Sequence, residues 1–411
     1  MKVLIIGNGG REHAIGAKLK QHHDNIELFF AKGNGGTESI GTNINLTEVN
    51  EIVHFAKDLQ IDITIVGSEA LLVQGIVDSF HQYGLKILGP NKKAAQLEGD
   101  KAFAKQFMLQ HGIRTAKHQA FTNAKTAIDY VTYQKFPLVI KATGLAAGKG
   151  VCIAQNFKEA CDYINDILLN KIFGDAGNEI VIEEFLDGFE VSVLSIFNKK
   201  NIYPFISAKD HKKIFEGDKG PNTGGMGAIA PNPLYTSNIQ QDFEKNILQP
   251  TLKGLLQDDL IFSGIIFFGL MVVNNECYLL EYNLRMGDPE TQTVLPLLNT
   301  DLLKVVEDAI DGNAITLDWK HEHSCCIVAA SDGYPGNYET GKSITGLNKI
   351  STPYFIAGAN KIDNKFETNG GRVLNIVATS DSLHEAKNKA YEAVHQIHFD
   401  GMYYRKDIGL I

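Results

Sequence analysis

Hydrophobic residues alternate between two spacings along residues 2–90. Four short apolar runs typical of buried strands are separated by three stretches in which apolar residues recur at helical spacing. The strand runs are KVLII, IELFF, IDITIV and LKIL, and the helical stretches cover residues 12–21, 47–58 and 69–82. We expect Thr47 to cap the second helix. This alternation predicts a parallel sheet with helices on both faces.

The middle of the chain has a different pattern. A helix is expected between Asp100, a typical N-cap, and Gly112, a typical stop signal. The runs FPLVIKA, VCIA and EIVIEEFL, with a helix over 157–169, then predict a small α+β unit. Longer runs follow, EVSVLSIFN, GIIFFGLMVV and CYLLEYNLR, and the last two are joined by Asn274–Asn275, a dipeptide typical of hairpin turns.

The C-terminal part predicts a further α+β unit, with strands SCCIVAAS and RVLNIVAT and a helix from Leu383 to Ile397. Residues 209–231 mix charges with glycine and proline, and predict a long functional loop rather than a core element. The pattern therefore divides the chain into a Rossmann-like parallel-sheet domain at 1–100, a central region at 101–320 with a small subdomain at about 118–188, and a small C-terminal domain at 321–411.

Composition narrows the class of protein. The chain has 411 residues, 44% of them hydrophobic, and a formal charge of −9, which argues against binding to nucleic acid or an anionic membrane. The five cysteines form no CxxC pair or disulfide framework, as expected in a reducing compartment. The first apolar run is too short for a signal peptide, and no apolar stretch is long enough to cross a membrane. We expect a soluble, cytoplasmic protein.

The first strand runs into the glycine-rich turn Gly7, Asn8, Gly9, Gly10 before a helix. A dinucleotide fingerprint would need a third glycine where Glu12 stands, and an acid after the second strand, where Ala31 and Lys32 stand. The turn can still offer backbone amides to one phosphate at a helix N-terminus. We therefore expect a monophosphate site; the alternative is a tight turn without a ligand.

A second glycine-rich loop, GLAAGKG, follows the strand that ends near Lys141. It is one residue too short for a P-loop, has Gly150 in place of the metal-binding hydroxyl residue, and precedes a strand instead of a helix. We interpret it as a flap between antiparallel strands that closes over phosphates, with Lys141 and Lys149 supplying positive charge. The alternative is a solvated hairpin turn.

Acidic residues mark two further strand ends. In VIEEFLDGFEVSV, acids flank a bend whose backbone can bind an adenine edge and whose carboxylates can bind ribose hydroxyls, although such acids are often only solvated. In LLEYNLRMGDPETQ, Glu281 and Asn283 lie on one face of a strand, and their oxygens suit Mg²⁺ beside nucleotide phosphates. Arg285 offers a fork for a carboxylate or phosphate, and Asp288 and Glu290 can add a ligand or hold the arginine. The alternative is an ion-paired strand end.

The order of flap, acidic hinge and E-x-N strand resembles the ATP-grasp superfamily. The motifs GNGGREHA, QLEGDKAFAK, GLAAGKGV, VIEEFLDG, GPNTGGMGA, RMGDPETQ and GGRVL, spread over most of the chain, are similar to those of the phosphoribosylamine–glycine ligase (glycinamide ribonucleotide synthetase) family. The resemblance implies a multidomain α/β and α+β chain with an ATP-grasp fold over 101–320. It also implies ATP-dependent joining of glycine to 5-phosphoribosylamine through glycyl phosphate, with release of ADP and phosphate, in purine biosynthesis.

The resemblance also implies roles for individual residues. ATP is expected at Lys105, Lys141, Gly148, Lys149, Gly150, Glu184, Leu186 and Glu190, with Glu184 and the Leu186 backbone at the adenine and Glu190 at the ribose. The expected ligands of Mg²⁺ (or Mn²⁺) are Glu281 and Asn283. The substrates are expected at Gly9, Gly10, Arg11, Asn222, Thr223, Arg285, Asp288 and Glu290. The residues expected to act in catalysis are Arg285, which would hold the carboxylate of glycine, Asp210 and Lys141.

The sequence departs from the family pattern at Thr143, where aspartate is expected beside the flap, and at Lys209, where glutamine is expected. Both departures bear on substrate affinity and leave every expected metal ligand in place. Another ATP-grasp carboxylate–amine ligase or carboxylase remains an alternative, as does a non-catalytic nucleotide sensor. A nicotinamide oxidoreductase is disfavoured by the failed fingerprint. We expect small-molecule substrates as partners, and a monomer or weak dimer.

Overall fold

The computed structural model describes residues 1–146 and 149–410. Its N-terminal part alternates strands and helices. These are β1 (Lys2–Gly7), α1 (Gly10–His22), β2 (Glu27–Lys32), β3 (Thr42–Ile44), α2 (Val49–Asp58), β4 (Ile63–Val66), α3 (Glu69–Gln74), α4 (Ile76–Gln82), β5 (Ile87–Leu88) and α5 (Gln96–Gly99). The strands pair in parallel in the order β3-β2-β1-β4-β5, which confirms the predicted parallel sheet.

Two predictions for this part are wrong in detail. The expected helix over 69–82 is two helices, because Gly75 between α3 and α4 adopts a left-handed conformation with φ of 93°. Helix α2 is preceded by Glu48 in the N-cap position, without a side-chain cap, instead of by the expected Thr47. Strand β3, only three residues long, has no apolar run to reveal it.

The central part begins with a small antiparallel sheet. Its elements are α6 (Lys101–Gln110), β6 (His118–Phe121), α7 (Ala124–Val131), β7 (Leu138–Ala142), β8 (Val151–Ala154), α8 (Phe157–Leu168) and β9 (Ile180–Glu184). The strand order is β6-β9-β7-β8. The Asp100 carboxylate accepts hydrogen bonds from the amides of Ala102 and Phe103, which confirms the predicted cap. Strands β7 and β8 are antiparallel, so the glycine-rich loop connects them as predicted.

The remaining elements build a larger sheet. They are β10 (Phe189–Asn198), β11 (Ile202–Asp210), β12 (Lys213–Phe215), β13 (Lys219–Asn222), β14 (Gly227–Ala230), α9 (Ser237–Phe243), α10 (Gln249–Gln257), β15 (Ser263–Val273), β16 (Glu276–Asn283), α11 (Glu290–Val294), α12 (Leu302–Asp311), β17 (His323–Ser331), β18 (Ser343–Ile344), β19 (Tyr354–Ile356), β20 (Ala359–Ile362), β21 (Lys365–Thr368), β22 (Arg372–Ser380), α13 (Leu383–Val394) and β23 (Met402–Tyr403). A π-helical turn at Glu244–Leu248 joins α9 to α10, and short 3₁₀ turns lie at Thr37–Ser39, Gly174–Gly177, Leu295–Leu297 and Leu347–Lys349.

One sheet continues from the central part into the C-terminal part. Its order is β16-β15-β10-β11-β14-β17-β22-β19, with β23 also paired to β17. Strand β14 makes the connection, since it pairs with β11 on one side and with β17 on the other. The prediction that residues 209–231 contain no core element is therefore wrong, because the short, glycine-bounded strand β14 is fully buried. The domain boundaries stay a proposal.

Strand β16 carries the predicted metal ligands and changes its exposed face along its length. In a regular strand, odd-numbered and even-numbered residues face opposite sides. In β16 and the residue after it, however, both the odd-numbered Cys277 and Leu279 and the even-numbered Tyr282 and Leu284 face the core. The switch occurs because Leu279 pairs with Leu270 while Glu281 pairs with Gly269, so that one extra residue forms a β-bulge. The Asn274–Asn275 turn before β16 has positive φ angles of 51° and 66°, as predicted for a hairpin.

An aromatic cluster supports the strands beneath this bulge. The rings of Phe243 and Phe268 lie 5.1 Å apart, and those of Phe268 and Tyr282 lie 5.7 Å apart. The Tyr282 hydroxyl completes the cluster with a hydrogen bond of 2.7 Å to the Thr251 hydroxyl. Among the residues described, no helix has the length and hydropathy needed to cross a membrane.

Replacement of Phe268 by alanine tests the importance of this cluster. The ring is fully buried, so we expect Phe268→Ala to lower the free energy of unfolding by about 3–5 kcal/mol. Thermal and denaturant unfolding measure the change. Tyr133→Ala, at a side chain that is 86% exposed, is the control and should change it by less than about 0.5 kcal/mol. Equal effects of the two substitutions would contradict the prediction.

Candidate active site

A cavity of about 730 Å³ lies where the three parts of the chain meet. It is lined by most of the site residues predicted from sequence: Gly9, Arg11, Lys105, Lys141, Gly150, Glu184, Leu186, Glu190, Asp210, Asn222, Thr223, Glu281, Asn283, Arg285, Asp288 and Glu290. Of the others, Gly10 packs beneath the side chains of Asn375 and Gln292, and Lys149 lines an adjoining groove. Gly148 lies outside the described residues.

Two buried lysines share one carboxylate at the centre of the cavity. Glu183 receives Lys141 Nζ at 2.8 Å on one oxygen and Lys105 Nζ at 3.1 Å on the other. Burial alone would raise the pKa of Glu183, but the two lysines outweigh burial and lower it. Burial lowers the pKa of Lys105 to about 8 despite the attraction of Glu183. The pair of cations is therefore fixed in place before any ligand arrives.

The acidic hinge connects the small sheet to the large one. Strand β9 ends at Glu184, and β10 begins at Phe189 in the other sheet. The Glu184 carboxylate accepts a hydrogen bond of 2.9 Å from the Lys117 amide. Leu186 lines the cavity, and its backbone forms no hydrogen bond within the described part of the chain. It is thus free to bind a planar ring edge.

The base of the flap is anchored by helix α6 and by the small subdomain. Lys101 Nζ donates to the Gly144 carbonyl at 3.2 Å, and the Thr143 hydroxyl donates to the Glu179 carbonyl at 3.2 Å. Thr143, where the family pattern has aspartate, therefore has a structural contact of its own. Lys101 also lines the cavity, and it was not among the predicted site residues.

Glu281 faces cations but pairs with none of them. Burial would raise its pKa, yet Lys212, Lys141 and Lys101 together lower it. In the described part of the chain the carboxylate has no hydrogen bond or ion pair, whereas the Asn283 side-chain oxygen accepts only a 3.3 Å hydrogen bond from Arg285. An ionised carboxylate and an amide oxygen fit Mg²⁺, which prefers oxygen ligands and keeps positions for phosphates and water. The residues present therefore fit the expected metal.

Strand β16 ends at Asn283, so Arg285 does not lie on the strand as the pattern suggested, although its side chain still lines the cavity. Its Nε lies 3.2 Å from a carboxylate oxygen of Glu98 and 3.7 Å from one of Glu69. The other Glu98 oxygen accepts the Leu284 amide at 2.6 Å. Two acids from the N-terminal part therefore orient the guanidinium. Neither acid was among the predicted site residues: Glu98 lies in the QLEGDKAFAK motif noted in the sequence, but nothing in that motif pointed to Arg285, which is far away along the chain.

Asp210 and Glu290 form a buried pair of carboxyl groups. Burial, together with the mutual repulsion, raises the pKa of Asp210 well above its usual range, and burial raises that of Glu290. Ser192 donates to Glu290 at 3.2 Å, while one Asp210 oxygen has no partner among the described residues. Each carboxyl group therefore keeps its proton to a higher pH than an exposed carboxyl group would.

Glycines pack directly against these two carboxyl groups. A Cβ atom on Gly225 would lie 2.7 Å from an Asp210 oxygen, and one on Gly287 would lie 2.5 Å from a Glu290 oxygen. Both distances are shorter than any van der Waals contact. The space beside the pair is therefore bounded by backbone, and it suits a small ligand.

Asp288 is shared by all three parts of the chain. Its carboxylate receives the Arg11 amide at 3.1 Å, the Gln292 side chain at 2.9 Å and Arg372 Nη1 at 3.2 Å. Burial would raise the pKa of Asp288, but Arg372 and Arg11 lower it. The carboxylate thus remains ionised and connects the C-terminal strand β22 to the first turn of α1.

Existing contacts occupy the glycine turn and the Arg11 guanidinium. Arg11 bonds to Glu12 at 2.5 Å, to the Met286 carbonyl at 2.9 Å and to the Gly67 carbonyl. The Gly9 amide donates to Glu12 at 2.6 Å. The expected phosphate role of Gly9, Gly10 and Arg11 stays a prediction, which depends on the positive end of helix α1 and on the charge of Arg11.

Arg372 and Tyr334 bring the C-terminal part into the cavity. Arg372 Nη1 donates to the Gly224 carbonyl at 2.6 Å, and the Gly224 amide donates to the Tyr334 hydroxyl at 2.9 Å. They thereby hold the loop that contains Asn222 and Thr223. Arg372 belongs to the GGRVL motif noted in the sequence, but nothing in that motif indicated its target. Lys212, which pairs with Glu190 at 2.7 Å, was also missed.

Comparison with known protein families gives three matches that cover most of the chain. The phosphoribosylglycinamide synthetase N domain matches residues 1–98, the ATP-grasp (A) domain of the same family matches residues 99–291, and its C domain matches residues 324–411. The boundary between the first two matches falls at helix α5, which carries Glu98.

Individual relatives agree with these matches. The phosphoribosylamine–glycine ligase of Fusobacterium nucleatum is 55% identical over 420 residues, covering 100% of this chain and 99% of the relative. A crystal structure of the Thermotoga maritima phosphoribosylamine–glycine ligase is 33% identical, with a TM-score of 0.88 and coverage of 99% and 100% of the two chains. A Campylobacter jejuni biotin carboxylase, solved as a β-γ-ATP complex, is 16% identical with a TM-score of 0.74, covers 98% and 92% of the two chains, and shares the fold alone. These likenesses confirm the predicted fold class.

The low pKa of Lys105 predicts a pH dependence of ATP binding. Lys105 is protonated below about pH 8 and becomes neutral above it, so the site loses a positive charge as the pH rises. We expect the dissociation constant for an ATP analogue to stay level from pH 7 to 8 and then to rise by up to about tenfold per unit. Calorimetric titration measures it.

Lys105→Met provides the control for this titration. The variant lacks the titrating group, so it should bind ATP weakly and without an inflection near pH 8. A wild-type affinity that stays constant to pH 9.5 would contradict the assignment of the inflection to Lys105.

Proposed function

The chain belongs to the phosphoribosylglycinamide synthetase family, and from this membership we infer that it is an ATP-dependent, ADP-forming ligase that joins glycine to 5-phosphoribosylamine. The product is glycinamide ribonucleotide, in purine biosynthesis. A carboxylate is a poor acyl donor, so the reaction passes through glycyl phosphate. The observation that best supports this function is the cavity in which two fixed lysines face the unpaired Glu281.

ATP is placed by the hinge and the two central lysines. Its adenine would meet Glu184 and the open backbone of Leu186, and its ribose would meet Glu190. Lys105 and Lys141, held by Glu183, would contact the phosphates. The flap residues Gly148, Lys149 and Gly150 would close above the phosphates, Gly148 being outside the described residues.

Glu281 and Asn283 would hold the metal ion, Mg²⁺ or Mn²⁺. When bound there, the ion would neutralise phosphate charge and align the γ-phosphate with its acceptor. The protein contributes only two ligands at this place, and in the described ranges no cluster of three or more histidine, cysteine or acidic side chains offers a richer site. The remaining positions are left for phosphate oxygens and water.

Glycine would bind between Arg285 and the Asp210–Glu290 pair. Arg285 takes the carboxylate, and the carboxyl oxygens of the pair, one of them without a partner among the described residues, accept hydrogen bonds from the ammonium group. Gly225 and Gly287 border the pair, so a substrate side chain would meet backbone there. In the first step a glycine carboxylate oxygen forms a bond to the γ-phosphorus, and the bond from that phosphorus to ADP breaks. Lys141 stabilises the transferred charge.

In the second step the amine of phosphoribosylamine attacks the carbonyl carbon of glycyl phosphate. A C–N bond forms, the C–O bond to phosphate breaks, and the departing phosphate can take the proton that the amine releases. The loop with Asn222 and Thr223 would border the amine, and helix α1 with Gly9, Gly10 and Arg11 would face the sugar phosphate. Asp288 holds these two regions together.

Three finer points extend beyond the activity. We propose domain boundaries near residues 100 and 320, with the flap subdomain at about 118–188. We also propose a monomer or weak dimer. The cytoplasmic location expected from the sequence stays a prediction.

An assay of ADP release tests the function and the metal ligand together. With Mg-ATP, release should require both glycine and phosphoribosylamine, which forms in situ from ribose 5-phosphate and ammonia. Glu281→Ala should reduce turnover at least about 10³-fold while leaving the protein folded, as thermal unfolding will show, because it removes the proposed metal ligand but no hydrogen bond or ion pair between described residues.

Glu276→Ala is the matched control, since it removes an exposed carboxylate from the same strand. It should retain full turnover. Near-normal turnover of Glu281→Ala would refute the metal assignment. Release with a different acid or amine would overturn the substrates, and tight ATP binding with no release for any acceptor would indicate a sensor.

Arg285→Lys tests the glycine anchor. The change removes the two-pronged contact but keeps the charge, so we expect the KM for glycine to rise about 10- to 100-fold, corresponding to about 1.5–3 kcal/mol. The KM for ATP should stay within about twofold. Arg114→Lys, which alters an arginine paired with Asp242 outside the cavity, is the control. Unchanged glycine dependence in Arg285→Lys would require another carboxylate anchor.

A further inference from the structure

A second cavity, of about 590 Å³, lies between the N-terminal and C-terminal parts. It shares no lining residue with the active-site cavity. Its walls come from the end of helix α1, the turn after α11, strand β22 and helix α13. We name it the lysine cavity after three of its lining residues, Lys320, Lys349 and Lys389.

The three lysines stand without acidic partners. None of them forms an ion pair with an acid in the described part of the chain, although the chain carries 48 acids and 39 basic residues. Lys389 donates only to the Ser380 hydroxyl, at 2.9 Å. Glu392 is the one acid in the lining, so the described walls carry two more positive than negative charges.

A fourth lysine lies behind the wall. Lys18 is 5% exposed, and its Nζ donates to the side-chain oxygen of Gln21 at 2.9 Å and to the Leu298 carbonyl. Both acceptors are neutral. Burial and the nearby Lys320 lower the pKa of Lys18 to about 8, and only Asp301 acts in the opposite direction. An anion in the cavity would relieve this accumulation of positive charge.

The rest of the lining suits a phosphate carried on an organic group. Hydroxyl donors come from Ser351, Thr352 and Thr379, while Ile350 and Val377 offer apolar surface. The volume falls in the range of about 300–1,000 Å³ that is usual for small-molecule sites.

We propose that the lysine cavity is a binding site for a small phosphomonoester dianion, separate from the ligase reaction. The two charges of such a ligand match the excess positive charge of the walls. Helix α1 and strand β22 each run from the active-site cavity to this one, with Arg11 and Arg372 at one end and Gln21 and Thr379 at the other. A bound ligand would therefore contact both elements that meet at Asp288.

Glycerol 2-phosphate, a phosphomonoester that is not a substrate, serves as the probe. Calorimetric titration is performed on the protein saturated with MgADP and glycinamide ribonucleotide, which occupy the active site. We expect the wild type to bind the probe at one site. The double variant Lys320→Gln/Lys349→Gln should weaken that binding at least about tenfold, because it removes two of the three positive charges in the walls.

Lys125→Gln/Lys365→Gln is the matched control, with the same change in net charge at exposed lysines elsewhere. It should bind the probe as the wild type does, and both double variants should unfold at the wild-type temperature. Absence of binding to the wild type would overturn the proposal. Equal affinity in the cavity variant and the wild type, or equal weakening in both double variants, would also overturn it. ADP release by the same proteins reports on the ligase function independently.

Discussion

The ionised Asp288 carboxylate is the interaction on which the arrangement of the active site depends. Among the described residues, it accepts hydrogen bonds from the first turn of α1 and from α11, and it forms an ion pair with Arg372 of strand β22. A buried carboxylate is costly unless it is paired, and removing one partner of such a pair costs about 3–5 kcal/mol. Because this charge must stay paired, it fixes the positions of the three parts of the chain relative to one another. The regions proposed to bind the sugar phosphate, the amine and glycine lie on elements that meet there.

A local irregularity determines which side chains of β16 reach the cavity. Without the bulge between Leu279 and Glu281, strict alternation would place Glu281 on the same face as Cys277 and Leu279, in the core. The extra residue moves Glu281 and Asn283 to the cavity and Tyr282 to the aromatic cluster. The bulge at the cavity thus directs the two proposed metal ligands, and the packed rings beneath it hold them in that direction.

Local chemistry explains what could be predicted from the sequence and what could not. The E-x-N pair, Lys141 and the Asp100 cap are short-range patterns, and the structure places each as its spacing indicates, whereas Lys149 lines the adjoining groove. The resemblance implied a role for Glu184 and none for Glu183, because nothing in the VIEEFLDG motif indicates that the Glu183 carboxylate pairs with lysines of two other elements. Glu98 lies in the QLEGDKAFAK motif, but its role could not be predicted, since its partner Arg285 is distant in sequence. Gly75 and β14 show the same limit for the fold, because a left-handed glycine and a four-residue strand leave little periodic signal.

The two cavities differ in whether their cationic side chains are paired with acids. This difference distinguishes a site suited to a reaction from a site suited only to binding. In the active-site cavity most cations are held by acids: Lys105 and Lys141 by Glu183, Lys212 by Glu190, Arg285 by Glu98, and Arg372 by Asp288. Such pairing lowers the net attraction for a phosphate, but it fixes the position of each positive charge, which is what stabilisation of a developing transition-state charge requires. In the lysine cavity the three lysines form no ion pair with a described acid. Their attraction for an anion is therefore retained, but their side chains are not held in fixed positions. A chain with a net charge of −9 can therefore hold anions at both places, because the local arrangement of charges, more than their sum, decides where an anion binds.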